Sequence, residues 1–401
     1  MHIVQKMFYS EFVLYAAERN DHKMKIKDTV EKVTDFFFSI VTKKDRHYAD
    51  VLMRDCCMAY EKQTGDYCSY RKRSGSSEDL VVHSGMLSNM SDVAIVIQGP
   101  LILDNHFTLN TVRLYKRYYP GCKVIVSTWD NSNKNEINNL KTAGADIVLN
   151  AAPEIFGLGN MNFQIVSTKG GIQCADDAGV KYILKTRSDQ RIYKPHMLEY
   201  FKTLIDQFPI KQEVDSAKRK ERIITVQTTV GGGMFIPYFI ADFLYFGTVQ
   251  DIRNLFDIEL DSSPNRTKDE RRIWLRDLLS SNPRIGDYYN ITAPEIKIIK
   301  NYIKNYITEN LEDTVKGYWD FVSNYLITVS WDDIGLFWPK YDRYNESNLF
   351  RTYSKNDNTD LYLQYNWTFQ NWLLLNQGIF KYNPEFEKYY MQTCDKLNLK
   401  I

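Results

Sequence analysis

From residue 91 onward, short apolar runs alternate along the chain with segments whose apolar residues recur at helical spacing. Such runs are typical of buried strands, and the helical spacing is typical of amphipathic helices. The alternation predicts β-α units that build a mainly parallel sheet with helices on both faces. The predicted strands are Val93 to Gln98, Cys122 to Trp129, Ala145 to Leu149, a strand beginning at Tyr182, Arg222 to Val230, and Ile240 to Phe246. The predicted helices are Asn105 to Tyr119, Asn135 to Ala143, Asn160 to Ala178, Pro195 to Phe208, Val249 to Phe256, Lys268 to Leu279, and Pro294 to Ile307.

The two ends of the chain have different patterns. Between Val4 and Met58 apolar residues recur at helical spacing, which predicts two or three helices. A Ser- and Gly-rich stretch from Arg71 to Ser91 then predicts a linker. We therefore expect an N-terminal helical extension with a linker over residues 1–90, an α/β domain over 91–250, and a helical, aromatic-rich region over 251–401.

The apolar run that begins at Tyr182 stops abruptly in polar residues. Those residues are Arg187, Ser188, Asp189, Gln190 and Arg191. Open α/β folds bind their ligands at the carboxyl edge of the sheet, so a strand that ends in such a cluster is a candidate binding site. The strand predicted from Val93 also ends in polar and small residues, and the two strand ends are predicted to face one ligand.

The chemistry of this cluster suits a phosphate-bearing ligand. The carboxylate of Asp189 could hold a divalent cation, Mn²⁺ or Mg²⁺, that bridges diphosphate oxygens. Arg187 and Arg191 could instead contact phosphate directly. Neither a G-x-G-x-x-G motif nor a P-loop occurs, which argues against hydride-transfer enzymes and P-loop kinases.

Composition narrows the class of protein further. The 401 residues include 44% hydrophobic residues, enough for a substantial core. The 51 Lys and Arg residues and 50 Asp and Glu residues leave a net charge of +1, which removes the electrostatic basis for nucleic acid as the main partner. Six scattered cysteines and the lack of a signal peptide favour the reducing cytoplasm. No apolar run is long enough to span a membrane, while peripheral association with the inner membrane stays open.

Four segments, in this order, resemble the WavE-type lipopolysaccharide synthesis family. They are VAIVIQGPL at 93–101, NTVRLYKRYYPGCKVIVSTW at 110–129, NFQIVSTKGGIQCA at 162–175 and YILKTRSDQRI at 182–192. The resemblance covers roughly residues 91–310. It implies a glycosyltransferase of the nucleotide-sugar-dependent A-type fold, in which the α/β domain binds the donor and the C-terminal region binds the acceptor.

Enzymes of that fold carry an Asp-x-Asp triplet after the fourth strand. The resemblance places Asp189 at the last, metal-binding position and Arg187 at the first. An Arg in place of a carboxylate weakens a metal site and supplies positive charge of its own, so metal dependence is in doubt. The alternative interpretation is that Arg187 and Asp189 form a structural salt bridge.

The resemblance also implies a set of donor-binding residues. Gln98, Gly99 and Pro100 would meet the base and ribose, since a Gln side chain pairs with a base edge and glycine lets the backbone approach. Trp129 would stack on the base or ribose, and the amide of Asn162 would face the phosphates or sugar. The alternatives are a strand-terminating turn for the first three, packing for Trp129 and helix capping for Asn162.

An inverting transferase needs a carboxylate that takes a proton from the acceptor hydroxyl. The two candidates for this general base are Asp242, before the last predicted strand, and Glu295, in the first turn of a predicted helix. A carboxylate at a helix start is also explained by the helix dipole alone.

We therefore predict a glycosyltransferase that moves a sugar from a nucleotide-sugar donor to a glycan or lipid-linked glycan of a bacterial lipopolysaccharide or capsule. One alternative is a nucleotidyl- or phospho-sugar transferase that uses the same sheet edge. The other is a non-catalytic scaffold of a polysaccharide assembly complex.

Overall fold

The computed structural model divides the chain into two units, residues 1–73 and residues 74–401. In the first unit, residues 32–40 are helical and helix α1 spans Arg46–Thr64. The earlier part of the predicted helical extension, residues 1–31, lies outside the described residues. The residues that the structure describes are 32–40, 46–65, 67, 72–76, 83–210, 221–228, 233–279, 285–307, 309–339 and 366–396.

The second unit is built around a sheet in which the described residues form seven strands, in the order β3-β2-β1-β4-β7-β6-β8. Its strands are β1 (Val93–Gln98), β2 (Lys123–Trp129), β3 (Asp146–Asn150), β4 (Tyr182–Arg187), β6 (Ile223–Val226), β7 (Tyr245–Thr248) and β8 (Leu326–Val329). All neighbouring pairs are parallel except those that involve β7, which runs antiparallel to β4 and β6. The predicted class, an α/β fold with a mainly parallel sheet flanked by helices, is confirmed.

Helices connect these strands and continue beyond them. They are α2 (Phe107–Tyr118), α3 (Lys134–Thr142), α4 (Met161–Asp177), α5 (Met197–Gln207), α6 (Val249–Leu255), α7 (Lys268–Leu278), α8 (Ile285–Thr292), α9 (Pro294–Tyr306), α10 (Val315–Tyr325), α11 (Trp331–Ile334), α12 (Phe369–Asn376) and α13 (Pro384–Lys396). Most predicted helices differ from these bounds by only one or two residues, because their apolar faces are marked locally in the sequence.

The central strands are buried on both faces, as their apolar sequences require. Every residue of β1 is buried, and helix α4 covers one side of it. The Gly170-Gly171 pair permits this close packing. A Cβ atom on Gly171 would lie 2.3 Å from a methyl carbon of Val96 in β1. Glycine therefore lets the helix backbone approach the sheet at this point.

The strand order creates a switch point between β1 and β4. The chain leaves β1 toward β2 on one side of the sheet and later enters β4 on the other side. Ligands of open α/β sheets bind in the crevice outside the carboxyl ends of strands at such a point. The residues that follow β1 and β4 are those that the sequence selected, Gly99-Pro100 and Ser188-Asp189.

The second half of the sheet brings later parts of the chain to the same edge. Strand β7 runs antiparallel to β4, so the segment that precedes Tyr245 lies at the carboxyl edge of its neighbour. A two-stranded antiparallel sheet of β5 (Arg191–Ile192) and β9 (Leu336–Phe337) adds the segment around Trp338. The sheet also includes residues beyond 250, where the α/β domain was expected to end, because β8 pairs with β6.

The predicted strands of this second half are displaced. The strand expected from Ile240 to Phe246 forms at Tyr245–Thr248, and the one expected from Arg222 to Val230 is described only at Ile223–Val226. The segment before β7 is apolar without a clear period, so its pattern does not locate the strand.

The aromatic C-terminal region is largely core. Trp319, Trp367 and Trp372 are almost completely buried, and Trp319 packs against the rings of Trp367 and Phe380. These three tryptophans stabilise the unit by burial. Trp338, in contrast, lies next to the strand-end residues described below.

Candidate functional site

Arg187 and Asp189 form a two-point ion pair at the end of β4. The Nε atom of Arg187 lies 2.9 Å from Oδ1 of Asp189, and its Nη2 atom lies 3.0 Å from Oδ2. The side chains are 33% and 27% exposed, so the pair is open to solvent at the sheet edge. The structure therefore contains the strand-end salt bridge that was the alternative interpretation of these two residues.

Trp338 contacts both members of this ion pair. Its Nε1 donates a hydrogen bond to Oδ2 of Asp189 at 3.0 Å. The guanidinium carbon of Arg187 lies 5.0 Å from the centroid of the Trp338 ring, within the range of a cation–π interaction. These contacts help to fix the orientation of Arg187. Nothing in the sequence near residue 338 predicted that Trp338 would take part.

The environment of Asp189 does not suit a metal ligand. Burial opposes ionisation of this carboxyl, but the hydrogen bonds from Arg187 and Trp338 outweigh burial and lower its pKa. Both carboxylate oxygens already accept hydrogen bonds. Within the described ranges, no group of three or more His, Cys, Asp or Glu side chains could hold a metal ion. The residues present therefore do not fit a Mn²⁺ or Mg²⁺ site of the expected kind.

The structure brings the two candidate bases to this ion pair. Asp242 lies just before β7 and is 9% exposed, and Glu295 lies in the first turn of α9 and is half-buried. The two carboxylates interact electrostatically with each other, and Glu295 also interacts with Arg187. Residues that are 53 positions apart in the sequence therefore share one site with the strand-end pair.

The surroundings of Glu295 favour its protonated form. Burial, followed by repulsion from the carboxylate of Asp242, raises the pKa of Glu295 to about 8, while Arg187 acts in the opposite direction. A carboxyl whose pKa lies near the operating pH is suited to general acid–base catalysis. Two carboxyls that repel each other are a common source of such a shift.

Lys185 is a further charged residue of the site that sequence reasoning missed. Its side chain is completely buried in β4, and its Nζ donates a hydrogen bond to the backbone carbonyl oxygen of Asp242. Burial lowers the pKa of Lys185 to about 7, although the carboxylate of Asp242 acts in the opposite direction. The signal was present in the sequence, since Lys185 is a lone cation inside the apolar run YILKT.

The turn after β1 is built to meet the turn after β4. Gly99 has φ of +117°, and a Cβ at this position would lie 3.0 Å from Oγ of Ser188. That Oγ donates a 2.6 Å hydrogen bond to the carbonyl oxygen of Pro100. A glycine is required here because of both the backbone conformation and the contact.

Gln98 and Trp129, two of the predicted donor-binding residues, are buried and pack against helix α4. Oε1 of Gln98 accepts a 2.8 Å hydrogen bond from Ser167 of α4, and Gln98 is 5% exposed. Trp129 is 8% exposed and packs edge-on against Phe163, with the ring centroids 5.1 Å apart. Both side chains help to attach α4 to the sheet.

Asn162 and Arg191 hold backbone segments rather than facing the cluster. Asn162 donates to the carbonyl oxygens of Ile155 and Asp261, and it accepts from the amide of Asp261. Arg191 is 2% exposed, and its guanidinium donates to the carbonyl oxygens of Gly75 and Phe107 among other acceptors. The structure does not bring either side chain to the ion pair.

A family model that describes WavE lipopolysaccharide synthesis matches residues 93–400, which is most of the chain. The chain belongs to the WavE lipopolysaccharide synthesis family. The resemblance noted in the sequence is thereby confirmed, and the match extends well past residue 310 to include the β8, β9 and Trp338 segments. No match to a curated protein sequence was found.

Solved structures similar to this WavE family member include nucleotide-dependent enzymes. A cytidylyltransferase from Leptospira borgpetersenii serovar Hardjo-bovis is 14% identical, with a TM-score of 0.26, 47% of this chain covered and 70% of the other. A CMP:2-keto-3-deoxy-manno-octonic acid synthetase in complex with CTP is 11% identical, with a TM-score of 0.27, 46% of this chain covered and 84% of the other. At these scores the likenesses carry no argument about the reaction.

Within the part of this WavE family member that the structure describes, no helix combines the length and the apolar character needed to cross a membrane.

Proposed function

We propose that this WavE family member is a glycosyltransferase that moves a sugar from a nucleotide-sugar donor to a glycan acceptor in lipopolysaccharide synthesis. The observation that carries the proposal is the grouping of one partly exposed cation, Arg187, with the carboxyls of Asp242 and Glu295 at the switch point of the sheet. A cation that stabilises the leaving group and a general base for the acceptor hydroxyl are the two groups that inverting sugar transfer uses.

In this proposal Arg187 binds the donor diphosphate and stabilises the negative charge of the departing nucleotide. A guanidinium suits this role because it is always charged and binds phosphate oxygens at two points. Asp189 and Trp338 hold it in one orientation. The role that the sequence suggested for Asp189, binding a metal, is thereby replaced by positioning of the arginine.

Glu295 is the proposed general base. Its carboxylate takes the proton of the acceptor hydroxyl, the hydroxyl oxygen bonds to the anomeric carbon, and the bond to the nucleotide diphosphate breaks. The carboxylate must be ionised, and its pKa of about 8 predicts that the transfer rate rises with pH and levels off above about pH 8. Asp242 is the second candidate, and it maintains the raised pKa of Glu295 if it is not itself the base.

The carboxylate pair suits an acceptor hydroxyl, which must lose a proton as it attacks. It therefore favours glycosyl transfer over the nucleotidyl transfer in which a sugar phosphate attacks a nucleoside triphosphate, because that nucleophile is already ionised. A nucleotidyl transfer to a sugar hydroxyl would use such a base too, and the products distinguish the two reactions.

Calorimetric titration with UDP, CDP, GDP and CMP, each with and without Mn²⁺, identifies the nucleotide. Turnover of the corresponding radiolabelled nucleotide sugars is then measured for Glu295→Gln, Asp242→Asn and the wild type. We expect Glu295→Gln to lose roughly 100-fold or more in rate while it still binds the nucleotide. Asp313→Asn is the control, because Asp313 is an exposed partner of Lys300.

Each alternative has a distinct result. Release of pyrophosphate from a nucleoside triphosphate and a sugar phosphate would identify a nucleotidyltransferase. A failure to bind any nucleotide would leave the scaffold as the better account. If Glu295→Gln keeps wild-type turnover and Asp242→Asn loses it, Asp242 is the general base instead of Glu295.

A further inference from the structure

Two consecutive residues of the loop after β1 have a left-handed backbone conformation that is uncommon outside glycine. Asn105 has φ of +48°, and His106 has φ of +49°. The conformation is held by hydrogen bonds, from the amide of His106 to the carbonyl oxygen of Leu103 at 2.9 Å and from the side chain of Asn110 to the carbonyl oxygen of Asn105 at 3.1 Å. Strained residues that are held in this way cluster at ligand sites.

The imidazole of His106 is bonded to a buried carboxylate from another helix. Its Nδ1 atom lies 3.4 Å and 3.3 Å from the two carboxylate oxygens of Glu136, in the first turn of α3. The Glu136 side chain is 5% exposed, whereas the His106 side chain is 64% exposed. Because a carboxylate only accepts hydrogen bonds, Nδ1 carries the hydrogen and Nε2 lies on the far side of the ring. Among the described residues, no hydrogen bond to Nε2 is found.

His106 lies at the carboxyl edge of the sheet, between the ends of two strands. Two residues further on, Oγ1 of Thr108 donates a 3.3 Å hydrogen bond to the carbonyl oxygen of Ser188, directly after β4 and next to Arg187. On the other side, Glu136 belongs to the helix that follows β2. The imidazole is therefore oriented beside the switch point, where ligands of open α/β sheets bind.

We propose that Nε2 of His106 binds a ribose hydroxyl of the nucleotide donor and that Glu136 is the positioning residue for the imidazole. The inference rests on the proposed function, in which Arg187 binds the donor diphosphate, because the ribose is the group attached directly to that diphosphate. A hydroxyl both donates and accepts hydrogen bonds, so it fits Nε2 with or without a hydrogen. Gln98 and Trp129, which were expected to contact the nucleoside, are buried and leave this contact to another side chain.

A second histidine–carboxylate pair provides a matched control. Nδ1 of His196 lies 3.5 Å from a carboxylate oxygen of Glu199, and the His196 side chain is 51% exposed. His196 has φ of −101°, so its backbone is not left-handed. The amide of Ser88, which precedes β1 in the sequence, donates to the same carboxylate at 3.3 Å. This pair therefore lies near the amino end of β1, away from the candidate site.

The test is a calorimetric titration of the wild type, His106→Asn and His196→Asn with ribonucleotides and their deoxy forms. The ligands are UDP, CDP, GDP and CMP with their 2′-deoxy and 3′-deoxy counterparts. Asparagine also tolerates the left-handed conformation, so the loop keeps its shape, and its shorter side chain does not extend as far as Nε2. We expect His106→Asn to bind the ribonucleotide roughly tenfold more weakly, the effect of one lost hydrogen bond, but to bind one deoxy form as tightly as the wild type does. His196→Asn should match the wild type with every ligand.

A purely structural role for His106 would give a different result. It would weaken the binding of the ribonucleotide and of both deoxy forms by the same factor. That outcome, or unchanged binding in His106→Asn, would overturn the inference. Glu136→Gln should give a smaller loss that is confined to the same ribose hydroxyl, because the imidazole remains but is less well oriented. If His106→Asn does not fold, Glu136→Gln replaces it in the same comparison.

The titration separates this inference from the proposed function. A loss confined to one ribose hydroxyl, together with pyrophosphate release instead of sugar transfer, would retain the role of His106 and reject the glycosyltransferase. Sugar transfer by the wild type, together with equal losses for all ligands in His106→Asn, would do the reverse. A wild-type protein that binds none of the nucleotides would overturn both.

Discussion

Arg187 and Arg191 belong to the same short sequence, yet they do opposite things in the folded chain. Arg191 is 2% exposed and donates hydrogen bonds at 2.9 Å to Oγ1 of Thr111 and to the carbonyl oxygen of Phe107. The side chain of Arg187 is 33% exposed and is bonded to a carboxylate at the sheet edge. Arg191 holds backbone segments together, and Arg187 stays partly exposed at the sheet edge.

The difference lies in the acceptors that surround each guanidinium. Arg191 satisfies neutral carbonyl and hydroxyl oxygens, which remain buried and unpaired if it is removed. Arg187 is paired with Asp189, a partner that still reaches solvent. The position of a basic residue near a strand end is therefore not enough to assign it a role in ligand binding. The groups that its side chain contacts distinguish a structural role from a binding role.

Arg191→Met is the substitution for which this comparison predicts the largest effect. Hydrogen bonds to charged groups contribute about 1.5–3 kcal/mol each, and Arg191 makes several, so the free energy of unfolding should fall by at least about 3 kcal/mol. Urea denaturation measures this change. Arg253→Met is the control, because its pair with Asp176 is largely exposed and should contribute less than about 1 kcal/mol. Equal effects of the two variants would show that Arg191 is not a structural clamp.

Arg187→Met should show the opposite profile. Loss of a charge that stabilises the leaving group should reduce the rate of sugar transfer roughly 100-fold. The free energy of unfolding should change by less than about 1 kcal/mol, because the Arg187–Asp189 pair is partly exposed. Steady-state kinetics and urea denaturation of the same preparation measure both effects. A large stability loss without a rate effect would class Arg187 with Arg191.

Gly99→Ala tests the turn after β1 that contacts Ser188, next to Arg187. The φ of +117° disfavours any residue with a Cβ, and the contact with Ser188 adds strain, so we expect a loss of about 1–3 kcal/mol in the free energy of unfolding. Gly286→Ala is the matched control. A Cβ there would meet nothing within 4 Å, and its stability should be unchanged or slightly increased. Similar results for the two glycines would contradict the requirement for glycine after β1.

The local elements of this fold could be predicted because their signals are local. Strand β1 has the predicted bounds, and α4 differs from its prediction by one residue at each end. The displaced prediction for β7 lies in a continuous apolar segment, where neither strand nor helix period is visible. That strand is also antiparallel, and its direction depends on pairing with β4 rather than on its own residues.

The candidate site could be predicted only in part, for the same reason. Arg187, Asp189, Asp242 and Glu295 each had a recognisable local context, a strand end or a helix start. Trp338, which is 149 residues from Asp189 in the sequence, had none. The metal role expected of Asp189 also depended on its neighbours, and these proved to be donors from Arg187 and Trp338.

Periodicity, turn residues and the ordered family segments are enough to establish the β-α units, the fold class and the two strand ends. They are readable from the sequence because each depends on residues that are close together along the chain. The strand order, the antiparallel β7 and the meeting of Lys185, Asp242 and Glu295 depend on long-range packing. Only that packing determines which charges are buried next to one another, and hence which carboxyl has its pKa raised and which arginine stays partly exposed at the sheet edge.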